Sequence, residues 1–255
     1  MIAEFVCGPA GCGKTTYCEA RRQYLTASTK SHFTVMINLD PANDGIFPYP
    51  CDVDVREIVS HQAVAKSEEL GPNGSYLFCA DLHATRVDQL IGAINEAIAL
   101  KTNVGQTPYL IIDAPGQVEF YLQTDCIHRI LHALEKSLAC SVCLIHLHDA
   151  VVATRSIDTY VSACLLVLTF MVNFELPQLS FLSKWDCVSD EALDYTSVGD
   201  VLENFALLAK SSAPKKREFA RSLLTVVEGY SIVGFRPLAV EDTLSMGAAN
   251  DQINA

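Results

Sequence analysis

Short apolar runs alternate along the chain with longer segments in which apolar residues recur at helical spacing. The runs show little polar alternation, which is typical of strands buried on both faces of a parallel sheet. Several of them end in polar or acidic residues, and α/β sheets carry their chemistry at that edge. The predicted strands are Ile2–Cys7, Phe33–Leu39, Tyr109–Ile112, Val142–Leu147, Gln178–Leu182 and Ser231–Phe235.

The segments between these strands are predicted to be mainly helical. In Ala84–Leu100, apolar residues recur at the three- and four-residue spacing of one helix face. Gly71–Gly74 has the composition of a sharp turn, and Ser75–Leu82 fits a strand or a helix. The other predicted helices run from a glycine-rich loop to Leu25, over Val53–Val59, from Gln117 to about Ser137, and over Tyr160–Phe174, Glu191–Lys210 and Lys215–Tyr230. This alternation predicts one α/β domain over residues 1–255, with a mostly parallel sheet flanked by helices.

Composition and charge restrict the classes of function. The net charge is -12, which opposes a nucleic-acid-binding face because phosphate backbones need clustered Lys and Arg. We expect the basic run Lys215–Arg217 to be a solvated helix turn rather than a nuclear address. Tyr160–Phe174 is the most apolar stretch, but it is shorter than the about 20 residues that span a bilayer. We therefore expect a helix buried on all sides, in part within a subunit interface, with no direct nucleic-acid partner and no membrane partner.

The chain has ten cysteines, which are scattered along it. Reduced, buried thiols in a cytosolic protein account for them most simply. Cys140 and Cys143 have the spacing of metal ligands, but a second such pair of cysteines is missing from the sequence. A zinc site is therefore the disfavoured alternative.

The segment after the first predicted strand matches G-x-x-x-x-G-K-[ST] at every fixed position. It reads Gly8-Pro9-Ala10-Gly11-Cys12-Gly13-Lys14-Thr15 and is followed by Thr16. The glycines let backbone N–H groups turn towards a phosphate chain, and the following helix adds its positive end. Lys14 is expected to reach the β- and γ-phosphates, and the Thr15 hydroxyl is expected to bind Mg²⁺. This P-loop predicts nucleotide binding, with Thr16 as a further binding residue.

Two later strand ends carry loops in the order expected of a GTPase. In Asp113-x-x-Gly116, the carboxylate would hold a metal-bound water and the Gly116 N–H would contact the γ-phosphate. Gln117 follows at once, where it could orient the attacking water. The second loop, Ser183-Lys184-Trp185-Asp186, resembles [N/T]-K-x-D, with Ser183 in place of the usual Asn or Thr. A carboxylate accepts the two adjacent N–H donors that guanine offers and adenine lacks, while the Lys184 stem would lie along the base.

Further segments carry a more specific resemblance. Gly71-Pro72-Asn73 stands between the second strand and the strand that ends in Asp113. The other matching segments are Asn38–Asn43, Val53–Glu57, Asp113–Glu119, Glu175–Pro177, Ser183–Asp186 and Tyr230–Val233. Together they resemble the signature of the GPN-loop GTPases over about Phe5–Asp242. Asp40–Asn43 and Ala192–Tyr195 lean towards the second of the three eukaryotic paralogues.

The resemblance implies a P-loop NTPase fold with a helical GPN-loop insertion at about residues 51–104. It implies GTP/GDP and Mg²⁺ as cofactors, with Thr15 and Asp113 at the metal. It also implies a dimer, in which Asn73 of one subunit reaches the γ-phosphate bound by the other. Asp40 would then lie near the metal and the attacking water, and Gln117 and Glu119 would help to arrange that water.

The resemblance also implies partners. The chain would form a homodimer, or a heterodimer with a paralogous GPN-loop GTPase, and its clients would be RNA polymerase II subunits or their assembly factors. Such a protein would be cytoplasmic and could shuttle to the nucleus. The sequence departs from the family pattern at Ala114, Trp185 and Ser75, and His146–Asp149 is an unusual version of that strand end.

These expectations combine into a slow Mg²⁺-dependent GTPase that switches a dimer between conformations for a client, in the assembly or nuclear import of RNA polymerase II. Two alternatives remain. The first is a nucleotide-gated assembly scaffold with little turnover, which would share the same loops. The second is a small-metabolite kinase with the same P-loop, against which Lys184 and Asp186 argue.

Overall fold

The computed structural model describes residues 1–28, 31–43, 45–102, 105–188, 213–230 and 234–254. Among these residues, seven strands follow one another across the sheet in the order β3-β2-β4-β1-β5-β6-β7. The strands are β1 (Ile2–Cys7), β2 (His32–Asn38), β3 (Val53–Asp54), β4 (Thr107–Asp113), β5 (Ser141–Asp149), β6 (Gln178–Ser183) and β7 (Phe235–Pro237).

Helices fill most of the described segments between the strands. They are α1 (Lys14–Ser28), α2 (His61–Ser67), α3 (Pro72–Thr85), α4 (Val87–Lys101), α5 (Val118–Leu122), α6 (Cys126–Leu138), α7 (Ala150–Ala153), α8 (Ile157–Phe174), α9 (Pro214–Glu228) and α10 (Thr243–Ile253). The predicted α/β fold of the P-loop NTPase type, with helices in the insertion, is confirmed. The predicted helix Glu191–Lys210 and most of the predicted strand Ser231–Phe235 lie outside the described residues.

The register of the strands sets where the loops leave the sheet. β1 and β2 both pair in parallel with β4. Asp113, the last residue of β4, lies opposite Val6 of β1 and Asn38 of β2. The loops that follow these three strands therefore start at the same edge of the sheet, as expected for a parallel α/β arrangement.

The chain packs as two compact units. The first contains residues 1–10 and 14–144, and the second contains residues 11–13 and 145–255. The core of the first is built on fully buried strand residues such as Phe5, Met36 and Ile111. In the second, Tyr160 and Cys164 of α8 pack in one cluster with Leu224 of α9. The expectation of one domain stays a prediction.

Helix α8 differs from its prediction. It was expected to be buried on all sides, in part within a subunit interface, but in the single chain Ser162, Thr169 and Val172 are exposed, Val172 by 51%. Burial in a subunit interface stays a prediction. By length and composition alone, α8 is the one helix among the described residues that could cross a membrane, and 44% of its 18-residue window is buried. The buried part of α8 packs on α9, as the core helix of a globular unit does.

The insertion between β2 and β4 also required corrections. Val53–Val59 is not a short helix. It forms β3 and a 3₁₀ turn at Val55–Glu57, because the Asp54 side chain caps the Arg56 N–H. Gly71–Gly74 is not a separate sharp turn, since Pro72 begins α3, and proline suits a first helical turn. The predicted helix Ala84–Leu100 begins only at Val87, after α3 has ended.

Two further elements were missed. The helix expected from Gln117 to about Ser137 is two helices, α5 and α6, separated by Gln123–Asp125. Helix α10 was not predicted. Its sequence signal is Asp242, whose carboxylate accepts hydrogen bonds from Leu244 N and Ser245 N at 3.0 and 3.3 Å.

A buried ion pair lies in the core of the first unit. Arg21 Nε lies 2.6 Å from Glu4 Oε1, and neither side chain is exposed. Tyr17 OH donates to Glu4 Oε2 at 3.0 Å, and Tyr109 OH also donates to Glu4. The Glu4 carboxylate is therefore fully hydrogen-bonded, which is the condition under which a buried pair is tolerated.

We expect Glu4→Gln to lower the free energy of unfolding by about 3 kcal/mol, because it leaves the Arg21 charge buried without its counter-ion. Urea denaturation followed by circular dichroism would measure the change. The matched control is Lys216→Ala, which breaks an ion pair with Asp158 whose two side chains are 48% and 57% exposed. Such a surface pair is worth less than about 1 kcal/mol. Equal losses in the two variants would contradict the prediction.

Candidate functional site

The glycine-rich loop has the backbone conformation that its motif predicts. Gly8, Gly11 and Gly13 have φ angles of 135°, 78° and 88°, where residues with a Cβ are strained. The loop connects the end of β1 to the start of α1 at Lys14. A strand, a glycine loop and a helix N-terminus therefore follow one another as a phosphate-binding loop requires.

The Lys14 side chain folds back over this loop. Its Nζ donates to the carbonyl oxygens of Gly8 and Pro9, each at 3.0 Å, and the residue is only 8% exposed. The ammonium group is thus held over the loop residues 8–10, where a phosphate chain would need a positive charge.

Gly116 lies directly against the P-loop. A Cβ at this position would be 3.1 Å from Ala10 Cα and 3.3 Å from Lys14 Nζ, both tighter than most Cβ contacts. The close approach favours glycine, and it places the backbone of the segment after β4 beside the Lys14 ammonium group. Sequence reasoning expected Gly116 to contact a γ-phosphate, and this position is compatible with that role.

Asp113 ends β4 as a buried carboxylate, 3% exposed. Burial raises its pKa, while hydrogen bonds from the Thr15 and Tyr49 side chains and the charge of Lys14 act in the opposite direction. Thr15 and Asp113, the two expected metal ligands, are therefore in direct contact. Tyr49 was missed in the sequence, because a tyrosine in a loop 64 residues from its partner gives no local signal.

Asp40 is held near this cluster by its own loop. Asn38 bonds to the Asp40 backbone through both ends of its amide, each at 3.1 Å. Asp40 Oδ1 accepts hydrogen bonds from Ala42 N at 2.9 Å and from Tyr76 OH at 3.3 Å. Burial raises the pKa of Asp40, and the charge of Asp40 in turn acts to raise the pKa of Asp113. A carboxylate with a raised pKa is better suited to accept a proton from water.

The three other candidate catalytic residues are all exposed. Asn73 lies in the first turn of α3, Gln117 precedes α5, and Glu119 lies in its first turn. Neither Asn73 nor Gln117 makes a side-chain hydrogen bond to any described residue. Tyr76, one helical turn after Asn73, connects α3 to Asp40 and packs edge-to-face on Phe120. Tyr76 was also missed in the sequence.

The loop after β6 belongs to the second unit. Ser183 Oγ donates to the carbonyl oxygen of Cys12 at 2.6 Å, so the serine that replaces the usual Asn or Thr is fully engaged. Lys184 has a φ of 56°, and its Nζ donates to Gly11 O and to Asp149 Oδ2, both at 2.7 Å. This loop therefore holds two carbonyl groups of the P-loop segment 11–13.

Asp186 and Asp149 have opposite surroundings in this unit. Asp186 is exposed, in a 3₁₀ turn over Trp185–Cys187, and it accepts a hydrogen bond from Cys187 Sγ at 3.3 Å. Asp149 caps α7. Burial alone would raise its pKa, but the hydrogen bonds from Lys184 and the α7 backbone lower the pKa below its usual value. The Asp186 carboxylate is thus accessible. Asp149 positions Lys184 through the hydrogen bond between them, and sequence reasoning missed this role.

The residues in the first unit fit a magnesium ion. Mg²⁺ prefers oxygen ligands, and it is usually held by one or two protein groups together with substrate phosphates. Thr15 and Asp113 supply a hydroxyl and a carboxylate in contact with each other. Across the described residues, no group of three or more His, Cys, Asp and Glu side chains could hold a metal ion. The ten cysteines, all of them in the described part of the chain, form no disulfide.

Comparisons with known proteins agree with these features. A family model described as "Conserved hypothetical ATP binding protein" matches residues 6–255. The chain is 33% identical to the GPN-loop GTPase QQT1 of Arabidopsis thaliana, over 97% of this chain and 82% of the relative. It is 32% identical to GPN-loop GTPase 2 of Saccharomyces cerevisiae, over 96% of this chain and 71% of the relative. The name of the yeast relative supports the lean towards the second paralogue.

A solved structure shares the fold. PAB0955 from Pyrococcus abyssi, a GTPase in its apo form, matches with a TM-score of 0.77 over 99% of this chain and 96% of that one. The sequence identity is 21%, so the likeness establishes the architecture and leaves function to the residues themselves.

Proposed function

Because this chain belongs to the GPN-loop GTPase family, we propose that it binds Mg²⁺–GTP, hydrolyses it to GDP and uses the cycle to switch a dimer. The observation that carries the proposal is the cluster in the first unit, where Gly116 packs on the P-loop and Thr15 contacts Asp113. A phosphate-binding loop, a metal pair and a γ-phosphate sensor are the parts that a nucleotide switch needs.

In this proposal, each part of the cluster has one role. Lys14 exchanges its bonds to the Gly8 and Pro9 carbonyls for bonds to the β- and γ-phosphates. Thr15 and Asp113 would hold the magnesium ion, which would supply positive charge at the phosphates. Asp40 and Gln117 orient the attacking water, and Glu119 supports its placement. The leaving group is GDP, and the water proton passes to a carboxylate or to the phosphate product.

Guanine is the proposed base, although the matching family model carries a description that names ATP. Asp186 is exposed and negatively charged, and it stands at the position where a carboxylate would accept the two N–H donors of guanine. Adenine would leave that carboxylate without its partners. The same loop argues against a small-metabolite kinase, and failure of the protein to phosphorylate any acceptor would remove that alternative.

The dimer is proposed because the Asn73 side chain is not engaged by the described residues of its own chain. Its side chain is exposed and makes no hydrogen bond to Asp40, to Gln117 or to any other described residue. Its amide could therefore donate to the γ-phosphate bound by a partner subunit, where a preorganised donor stabilises the developing charge. The partner is a second copy of the chain or a paralogous GPN-loop GTPase.

The proposed biological role is the assembly or nuclear import of RNA polymerase II, in a cytoplasmic protein that could shuttle to the nucleus. The family resemblance alone supports this step. A scaffold in which nucleotide binding matters and turnover does not is the remaining alternative. Single-turnover GTP decay, measured beside client release, separates the two, since a scaffold would release its client before the GTP is cleaved.

Mixing two inactive variants tests the dimer. We expect Asn73→Ala and Gln117→Ala each to slow hydrolysis about 10²-fold, because each removes one donor that acts in the transition state. After subunit exchange, half of the dimers are mixed, and in each of these one of the two sites has an intact Gln117 and an intact Asn73. Activity should therefore recover to roughly a quarter of the wild-type rate for a symmetric homodimer.

The control mixes Gln117→Ala with Lys14→Ala. Both residues belong to the same chain's site, so no mixed dimer has a complete site and no recovery is expected. If the Asn73→Ala mixture gives only the average of the two slow rates, Asn73 does not act across a dimer. If no homodimer forms, the same exchange is carried out with the paralogous subunit.

A further inference from the structure

Tyr49 occupies one oxygen of the buried Asp113 carboxylate. Its hydroxyl donates to Asp113 Oδ2 at 2.9 Å, and the tyrosine is only 4% exposed although it lies in a loop between two prolines. The Thr15 hydroxyl contacts the same carboxylate. A buried tyrosine in a connecting loop that contacts an expected metal ligand is not explained by packing alone.

Phe47 and Arg56 fix the position of Tyr49. The rings of Phe47 and Tyr49 are stacked, with centroids 5.2 Å apart and an interplanar angle of 19°. The guanidinium carbon of Arg56 lies 4.6 Å from the centroid of the Phe47 ring, so Phe47 contacts both Tyr49 and Arg56. Arg56 is itself held by Asp54, to which Nε and Nη2 donate at 2.8 and 2.6 Å. A continuous set of contacts thus runs from the Asp54 carboxylate to the Asp113 carboxylate.

We propose that Tyr49 is a positioning residue for the magnesium site, because it fixes the rotation of the Asp113 carboxylate, which would help to hold the metal. The proposal rests on the proposed Mg²⁺–GTP function. A carboxylate has two oxygens with several acceptor directions, so a donor fixed on Oδ2 limits the rotation of the group while acceptor directions remain for a metal. Hydrogen bonds of this kind to metal-binding side chains typically change metal affinity 10- to 100-fold.

The set of contacts also explains why the loop keeps two aromatic rings. Without the Phe47 ring, the Tyr49 side chain would be restrained only by its hydroxyl bond and its own burial. Phe47 therefore acts one step further from the metal than Tyr49, and its loss should have a smaller effect. A graded loss along the set distinguishes positioning from direct metal binding, since Phe47 has no side-chain oxygen that could ligate Mg²⁺.

The test measures magnesium affinity directly. Mg²⁺ is titrated into the full chain with bound GDP, by calorimetry, and GDP affinity is measured separately in the presence of EDTA. We expect Tyr49→Phe to weaken Mg²⁺ binding 10- to 100-fold and to leave metal-free GDP affinity unchanged. We expect Phe47→Leu to weaken it by about 2- to 10-fold, the value of one aromatic contact.

Tyr17→Phe is the matched control, since Tyr17 is also a buried tyrosine whose hydroxyl donates to a carboxylate, that of Glu4. Tyr17→Phe should leave the Mg²⁺ affinity at the wild-type value. That result would show that loss of a buried hydroxyl does not by itself weaken Mg²⁺ binding. Wild-type affinity in Tyr49→Phe would overturn the proposal. Tighter binding would also overturn it, because Tyr49 would then compete with the metal. A wild-type protein that binds GDP without any dependence on Mg²⁺ would overturn the metal part of the proposed function as well.

Discussion

Asp186→Asn is expected to lower GTP affinity about 10⁴-fold, because a site that hydrogen-bonds its ligand discriminates by about that factor when the donor–acceptor pairing is lost. The amide of asparagine offers a donor where guanine also offers one. Xanthosine triphosphate presents an acceptor at that place, so the variant should bind it better than the wild type does. Equilibrium titration with fluorescent analogues of both nucleotides measures the affinity of the wild type and of the variant for each.

The matched control for this variant is Asp251→Asn, an equally exposed aspartate on α10. It should leave both affinities unchanged, which separates loss of recognition from loss of one negative charge. Asp186→Asn is a mild change for the fold, since Asp186 is exposed and accepts a hydrogen bond from the Cys187 thiol. Wild-type GTP affinity in the variant would show that the base is read elsewhere.

Lys14→Ala is expected to slow single-turnover GTP hydrolysis by about 10³-fold, the upper end of the range for one preorganised donor. The variant loses the positive charge that faces the β- and γ-phosphates. Because the Lys14 charge lowers the pKa of both Asp40 and Asp113, its removal should also raise the pKa of these carboxyls further. Rapid-quench measurement with saturating GTP separates the chemical step from binding.

Lys136→Ala serves as the comparison for Lys14→Ala, since Lys136 is an exposed lysine on α6 of the same unit. Its hydrolysis rate should equal that of the wild type. The stability of Lys14→Ala should stay within about 1 kcal/mol of the wild type, because the side chain bonds to loop carbonyls and not to the core. A normal rate in a folded Lys14→Ala protein would remove the P-loop from the proposed mechanism.

The parts of the site that the sequence predicts are those whose signal is local. The motif Gly8–Thr15 specifies its own backbone, since its glycines supply the positive φ angles and α1 begins at Lys14. Asp113 follows a short apolar run, and the parallel register then fixes its place beside Asn38. The first inference uses neighbours along the chain, and the second uses the pairing of adjacent parallel strands.

The residues that sequence reasoning missed act over long distances in the chain. Tyr49 and Asp113 are 64 residues apart, and Tyr76 and Asp40 are 36 apart. A tyrosine in a loop or a helix has many structural roles, so neither pattern predicts a hydrogen bond to a particular carboxylate. The errors in the insertion have a different cause. At Val53–Val59, side-chain capping by Asp54 overrode helical spacing, and at Pro72 a helix start resembled a turn.

The bonds from Ser183 and Lys184 to the P-loop carbonyls imply a thermodynamic reciprocity. Ser183 Oγ donates to Cys12 O, and Lys184 Nζ donates to Gly11 O. These two hydrogen bonds connect the segment that would bind the base to the segment that would bind phosphate. If phosphate binding tightens these bonds, it must raise the affinity for the base by some factor. Linkage then requires that the base raise the affinity for phosphate by the same factor. A nucleoside and pyrophosphate, added as separate molecules, would accordingly help each other to bind.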